Sequence, residues 1–192
     1  NVITLMGLSH GFGLAGLRVG FLGGPPRLLE GVLATKSALT RVNISLPMQQ
    51  AALAALGDRA YSLRNERLLK RNLQWLRLVV RSVPVLRFVV EPSYGFFACI
   101  DTSGIQASCQ ELTVALLKRR CAIYPSDGLG NTRPTSYIRL NFSSPYKKHF
   151  TWLQEALPAA IREAETRKYR NAVIRFFNSV GSERAKQIVR ML

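Results

Sequence analysis

The chain has 192 residues, of which 47% are hydrophobic, so it can bury a core of one domain or one and part of a second, and disorder is not the default reading. No apolar run reaches the roughly 18 residues that would read as a membrane span, and no charged-then-apolar leader opens the sequence. The net charge of +16 makes an acidic partner worth weighing against a simple solvated cationic surface.

Residues 2–6 have the length and β-branched content of a strand, and the glycine-rich stretch 7–16 reads as a turn region before a second strand over 18–22. The chain starts inside this strand-like run without Met, and a truncated start is expected. Helices are predicted over 27–39 and 47–56, the second with Ser45 as N-cap, Pro47 in its first turn and Gly57 as its stop. From 58 to 82 the pattern is helical: Leu69, Leu73, Leu76 and Val80 form one apolar stripe, and Pro84 closes the segment. Beyond it, strands are predicted over 88–90, 96–101, 122–124 and 137–142, helices over 110–119 and 147–167, and a loop over 125–135. Strands and helices mixed in this order predict an α/β layer fold. The tail, 169–192, carries two short helical patterns, 173–177 and 185–191, and Phe176 and Phe177 need something to pack on.

The three cysteines, Cys99, Cys109 and Cys121, lie in apolar segments without CxxC or histidine spacing. Reduced, buried thiols in a cytoplasmic protein are expected, and no metal site. Basic residues spread along the 58–82 helix and the tail instead of forming one block, and aromatic residues are not interleaved as stacking platforms. Nucleic-acid binding stays open but weakly supported beside the solvated face.

The run Ser9-His10-Gly11-Phe12-Gly13-Leu14-Ala15-Gly16-Leu17-Arg18-Val19-Gly20 resembles the signature of class I/II, fold type I, pyridoxal-phosphate-dependent aminotransferases, Ser-Lys-x-Phe-Gly-x-x-Gly-x-Arg-x-Gly. It matches at every position but the Schiff-base lysine, where His10 stands. The stretches 43–56, 95–101, 121–130 and 136–142 resemble later family segments in the same order. The resemblance covers roughly 2–165 and implies the C-terminal part of the large cofactor-binding domain over 1–57, a connecting helix and small C-terminal domain over 58–168, and a basic helical tail over 169–192.

It further implies pyridoxal 5′-phosphate as cofactor, with Ser9 and Arg18 binding it and Arg18 gripping its phosphate. Arg139 would hold the substrate α-carboxylate through a planar donor fork. Tyr94 and Asn141 are additional candidates, as readily structural as pocket-lining. The family serine three positions before the lysine corresponds to Gly7. The catalytic position falls to His10, whose imidazole is no primary amine and forms no stable imine, although imidazole is an acid–base group near neutral pH. The implied activity is amino-group transfer between an amino acid and a 2-oxo acid. A truncated or inactive relative is expected, because the ring-stacking and phosphate-cradling parts of the family site precede this region. Two alternatives remain: a dehydratase-like enzyme with His10 as base, and an aminotransferase-like regulatory or binding module. The implied partners are a second copy, as a homodimer, or a complementing N-terminal half.

Overall fold

A computed structural model describes residues 2–40, 44–126 and 136–192. Asn43, at the head of one family-like stretch, lies outside the described residues. So do residues 127–135, which hold the end of the 121–130 stretch and most of the expected 125–135 loop. The chain divides into two compact units, Asn1–Glu66 and Arg67–Leu192.

In the first unit, β1 (Thr4–Gly7) pairs antiparallel with β2 (Gly20–Gly23), Met6 opposite Phe21 and Gly7 opposite Gly20. The expected glycine-rich turn between them is more ordered than a loop. It contains a one-turn helix, α1 (Leu8–Gly11), and a 3₁₀ turn over Ala15–Leu17. Leu8 N–H donates to Val19 O at 3.0 Å and Leu17 N–H to Leu14 O at 3.0 Å, which closes the connection on itself. The second strand starts at Gly20 and not at Arg18, because Arg18 ends the 3₁₀ turn in a left-handed conformation, φ 53°. Glycine is required at position 20, where a Cβ would sit 2.8 Å from Met6 O. Helices α2 (Pro26–Leu39) and α3 (Leu46–Gly57) follow, each with proline in the first turn. Ser45 occupies the N-cap of α3 as expected, although its hydroxyl accepts no capping hydrogen bond. The core of this unit is small, Leu8, Val19 and Ala52 with Phe12, Leu14, Leu17 and Met48 against them.

Helix α4 (Arg59–Arg81) buries Leu73, Leu76, Val79 and Val80, so the apolar stripe read from the sequence is its packed face, with Leu69 partly buried. In the second unit, β3 (Arg87–Phe88), β4 (Phe97–Asp101), β5 (Tyr124–Pro125) and β6 (Tyr137–Asn141) form an antiparallel sheet in the order β3-β4-β6-β5. Strands β3 and β5 are two residues long, shorter than the apolar runs predict, and β5 begins at Tyr124 instead of Ala122. Alternation sorts the two long strands. Ala98, Ile100, Ile138 and Leu140 are buried with α4, α5 (Cys109–Leu117) and α6 (Lys147–Glu165), while Phe97, Cys99, Tyr137 and Arg139 are half-buried on the opposite face. A capping box fixes the start of α5: Ser108 Oγ accepts Glu111 N–H at 3.2 Å, and Glu111 Oε2 accepts Ser108 N–H at 3.1 Å.

The tail forms α7 (Arg170–Val180) and α8 (Glu183–Met191), turned at Gly181 with φ 69°. Val173, Phe177, Ala185 and Ile188 make its own small core, with Val114 of α5 packed against it. Of the two adjacent phenylalanines only Phe177 is buried; Phe176 is 61% exposed, because it lies on the outer side of α7. Among the described residues no helix is long and apolar enough to cross a membrane.

Candidate active site

The residues expected to hold the cofactor all lie on the connection between β1 and β2. Ser9 and His10 sit on the single turn of α1, Ser9 half-buried and His10 exposed. Arg18 sits at the far end of the same connection, where the left-handed backbone turns the chain into β2. Its guanidinium is exposed, donates to Ala15 O at 3.3 Å, and meets no carboxylate among the described residues. Most of its donor fork is thus open to an anion. Gly13, at φ 69°, completes the turn; a Cβ there would come within 3.2 Å of the Tyr61 hydroxyl. The only lysine in residues 1–66 is Lys36, on α2, so the motif itself holds no primary amine.

In the second unit, Arg139 stands in the middle of β6, directly opposite Cys99 on β4 and Tyr124 on β5. Its guanidinium lies 4.4 Å from the centre of the Phe97 ring and 4.6 Å from that of Tyr124. Two aromatic rings on flanking strands therefore hold it, and no carboxylate bonds to it among the described residues. Cation–π contact fixes the plane of the fork and leaves its N–H edge available for a bidentate acid. Burial pushes the Cys99 thiol up, and the neighbouring Arg139 charge partly offsets this.

The same sheet face opens into a depression of about 900 Å³ whose lining includes Arg87, Glu91, Tyr94, Phe97, Cys99 and Asp101. Burial opposes ionisation of Asp101, but hydrogen bonds from Ser103 and Arg87 outweigh it and hold the carboxyl below its ordinary value. Tyr94 is 89% exposed on the rim, and Asn141 Oδ1 accepts Ser143 N–H at 2.8 Å, a local turn bond. All three cysteines are free thiols, but only Cys109 is buried; Cys99 is half-buried on the sheet face opposite the helices, and Cys121 is half-buried at the edge of the core. Among the described residues no three His, Cys, Asp or Glu side chains cluster as metal ligands. Sequence reasoning singled out Arg139 but missed Phe97 and Tyr124. The signal for Phe97 is its two-residue offset from Cys99 on one strand; for Tyr124 it is strand pairing, which the sequence alone does not show.

Comparison with known proteins gives the fold and the family. Solved structures share the fold: a Thermus thermophilus aspartate aminotransferase mutant matches with a TM-score of 0.69 and 21% identity, over 82% of this chain and 43% of its own. A PLP-bound C-S lyase from Staphylococcus hominis matches with a TM-score of 0.66 and 20% identity, over 83% of this chain and 41% of its own. The class is thus a fold type I α/β protein. Residues 1–157 match the family described as aminotransferase class I and II, and the chain belongs to that family. A histidinol-phosphate aminotransferase of Methanosarcina mazei is 32% identical over 145 residues, 76% of this chain. The chain spans 36% of the length of that relative.

Proposed function

We propose that this chain is the part of a pyridoxal-phosphate-dependent class I/II aminotransferase-family protein that grips the cofactor phosphate and the substrate carboxylate, and that His10, standing at the Schiff-base lysine position, leaves it without transaminase activity of its own. The observation that carries this is Arg139: a guanidinium clamped between Phe97 and Tyr124 with its edge unpaired among the described residues suits an α-carboxylate. Such an arrangement recognises amino acids and 2-oxo acids alike, since both present that group. Residues 1–57 would belong to the large cofactor-binding domain and 58–168 to the connecting helix and small domain, with 169–192 an added basic tail.

The residues present fit one end of the cofactor and not the other. Arg18, with an open donor fork, and the hydroxyl of Ser9 suit its phosphate. The imidazole of His10 does not suit its aldehyde, which needs a primary amine. When bound, the cofactor supplies an electron sink for amino-acid chemistry. Arg18 would bind and orient its phosphate, and Arg139 would orient the amino acid by its carboxylate. His10 would be confined to accepting or donating a proton at a ring nitrogen.

The first unit also supports an assembled state, a homodimer or a complementing segment. Val2, Leu5 and Leu39 are each more than 70% exposed, an unusual load of solvated apolar surface on so small a core. The test is covalent. Mixed with pyridoxal phosphate and reduced with borohydride, the chain is expected to give no adduct at His10 by peptide mapping, whereas His10→Lys gives one at residue 10. An adduct on His10, or none in the lysine variant, sinks this reading.

A further inference from the structure

A second cavity, of about 270 Å³, opens on the helix side of the sheet within residues 67–192 and uses none of Ser9, His10, Arg18 or Arg139. Its walls are apolar and partly aromatic, formed by Leu76, Leu140, Phe142, Phe150, Trp152 and Leu153. The polar part of its lining includes Arg120, Asn141 and His149. Of these, Arg120 brings a permanently charged donor fork.

The His149 ring is held by Ser144. Ser144 Oγ accepts Tyr146 N–H at 3.2 Å and lies 2.7 Å from His149 Nδ1. The hydroxyl donates to Nδ1 in one imidazole tautomer and accepts from it in the other, so this contact anchors the ring in the cavity wall. Asn141 pairs with Phe97 and so carries its side chain toward the other sheet face, where Oδ1 accepts the backbone N–H and the hydroxyl of Ser143. The Arg120 guanidinium has no ion pair or hydrogen bond among the described residues. No carboxylate lines the cavity among them either. Finally, His149, Phe150, Trp152 and Leu153 belong to the first turns of the 19-residue α6, whose dipole adds positive potential.

A small apolar cavity with one unopposed cation in its wall is complementary to one kind of small molecule, an anionic head on an apolar body. We propose that this cavity binds a small aromatic monocarboxylate, with its ring against Trp152 and Phe150 and its carboxylate at Arg120.

Arg120 makes the test clean. Its backbone is left-handed, φ 59°, so Arg120→Gly removes the guanidinium while easing the conformation, and the variant keeps its fold. Trp152 lines the cavity and Trp75 does not, which provides an internal reporter. The full chain is titrated with 3-phenylpropionate and with the neutral 3-phenylpropionamide, following tryptophan fluorescence. The expected result is a saturable change for the acid that is lost in Trp152→Phe. Binding should weaken about tenfold or more in Arg120→Gly, and to a similar degree for the amide, as expected when a charge-assisted bond is lost. Equal binding of acid and amide, unchanged affinity in Arg120→Gly, or no saturation up to about 10 mM acid overturns the proposal. Neither result bears on His10 or Arg139, so this site and the proposed function fail independently.

Discussion

Arg139 and Cys99 face each other across β4 and β6, and the arginine charge holds the thiol lower than burial alone would. Arg139→Met removes that charge and leaves desolvation unopposed, so the Cys99 pKa rises further and less thiolate is present at any given pH. Alkylation of Cys99 by iodoacetamide at pH 8 should therefore slow in the variant, while Cys121, whose opposing charge is Arg119, keeps its rate. Residue-resolved mass spectrometry reads both thiols in one experiment. An unchanged Cys99 rate would mean that the guanidinium does not sit beside it. The place of Arg139 on a strand was legible in the sequence, since 137–142 reads as one. Its aromatic clamp was not, because Tyr124 is brought beside it only by pairing between β5 and β6.

At the scale of elements, α5 and α6 show which local signals carry weight. The Ser108–Glu111 capping box is buried, and Ser108→Ala should cost about 1 kcal/mol, measured by urea unfolding with unchanged slope. Ser45 lacks a capping bond, so Ser45→Ala should change stability far less and serves as the paired control. Near the end of α6, Glu163 receives hydrogen bonds from Lys168, Tyr169 and Arg119, which together hold its carboxyl down to about 2. A folded-state pKa below the ordinary value means that its contribution is complete above about pH 4.5 and fades as pH falls toward 2. The stability gap between wild type and Glu163→Gln should accordingly be larger at pH 7 than at pH 3. The periodic helices were readable because 3.6-residue spacing is a local property. The short strands β3 and β5 were placed less well, since their two-residue lengths are limited by how far each neighbour runs alongside.

For the whole molecule, the two units differ in how much they bury. Among the described residues, the second unit has one large core drawn from three helices and the sheet, whereas the first unit buries three side chains and leaves every residue of β1 and β2 exposed. Amide hydrogen exchange should show strong protection in β4, β6, α5 and α6 and rapid exchange throughout β1 and β2 in the isolated chain. Equal protection of the two units would indicate a cooperative structure that this burial does not support. The sequence by itself determined the family, through a motif whose residues are contiguous, along with the long helices and the identity of His10, Arg18 and Arg139. Only the tertiary structure decided that Arg18 turns the chain in a left-handed conformation, that Phe97 and Tyr124 clamp Arg139, and that Arg120, Asn141 and His149 line one cavity. Each of these depends on groups distant in sequence or on backbone geometry, and spacing along a chain encodes neither.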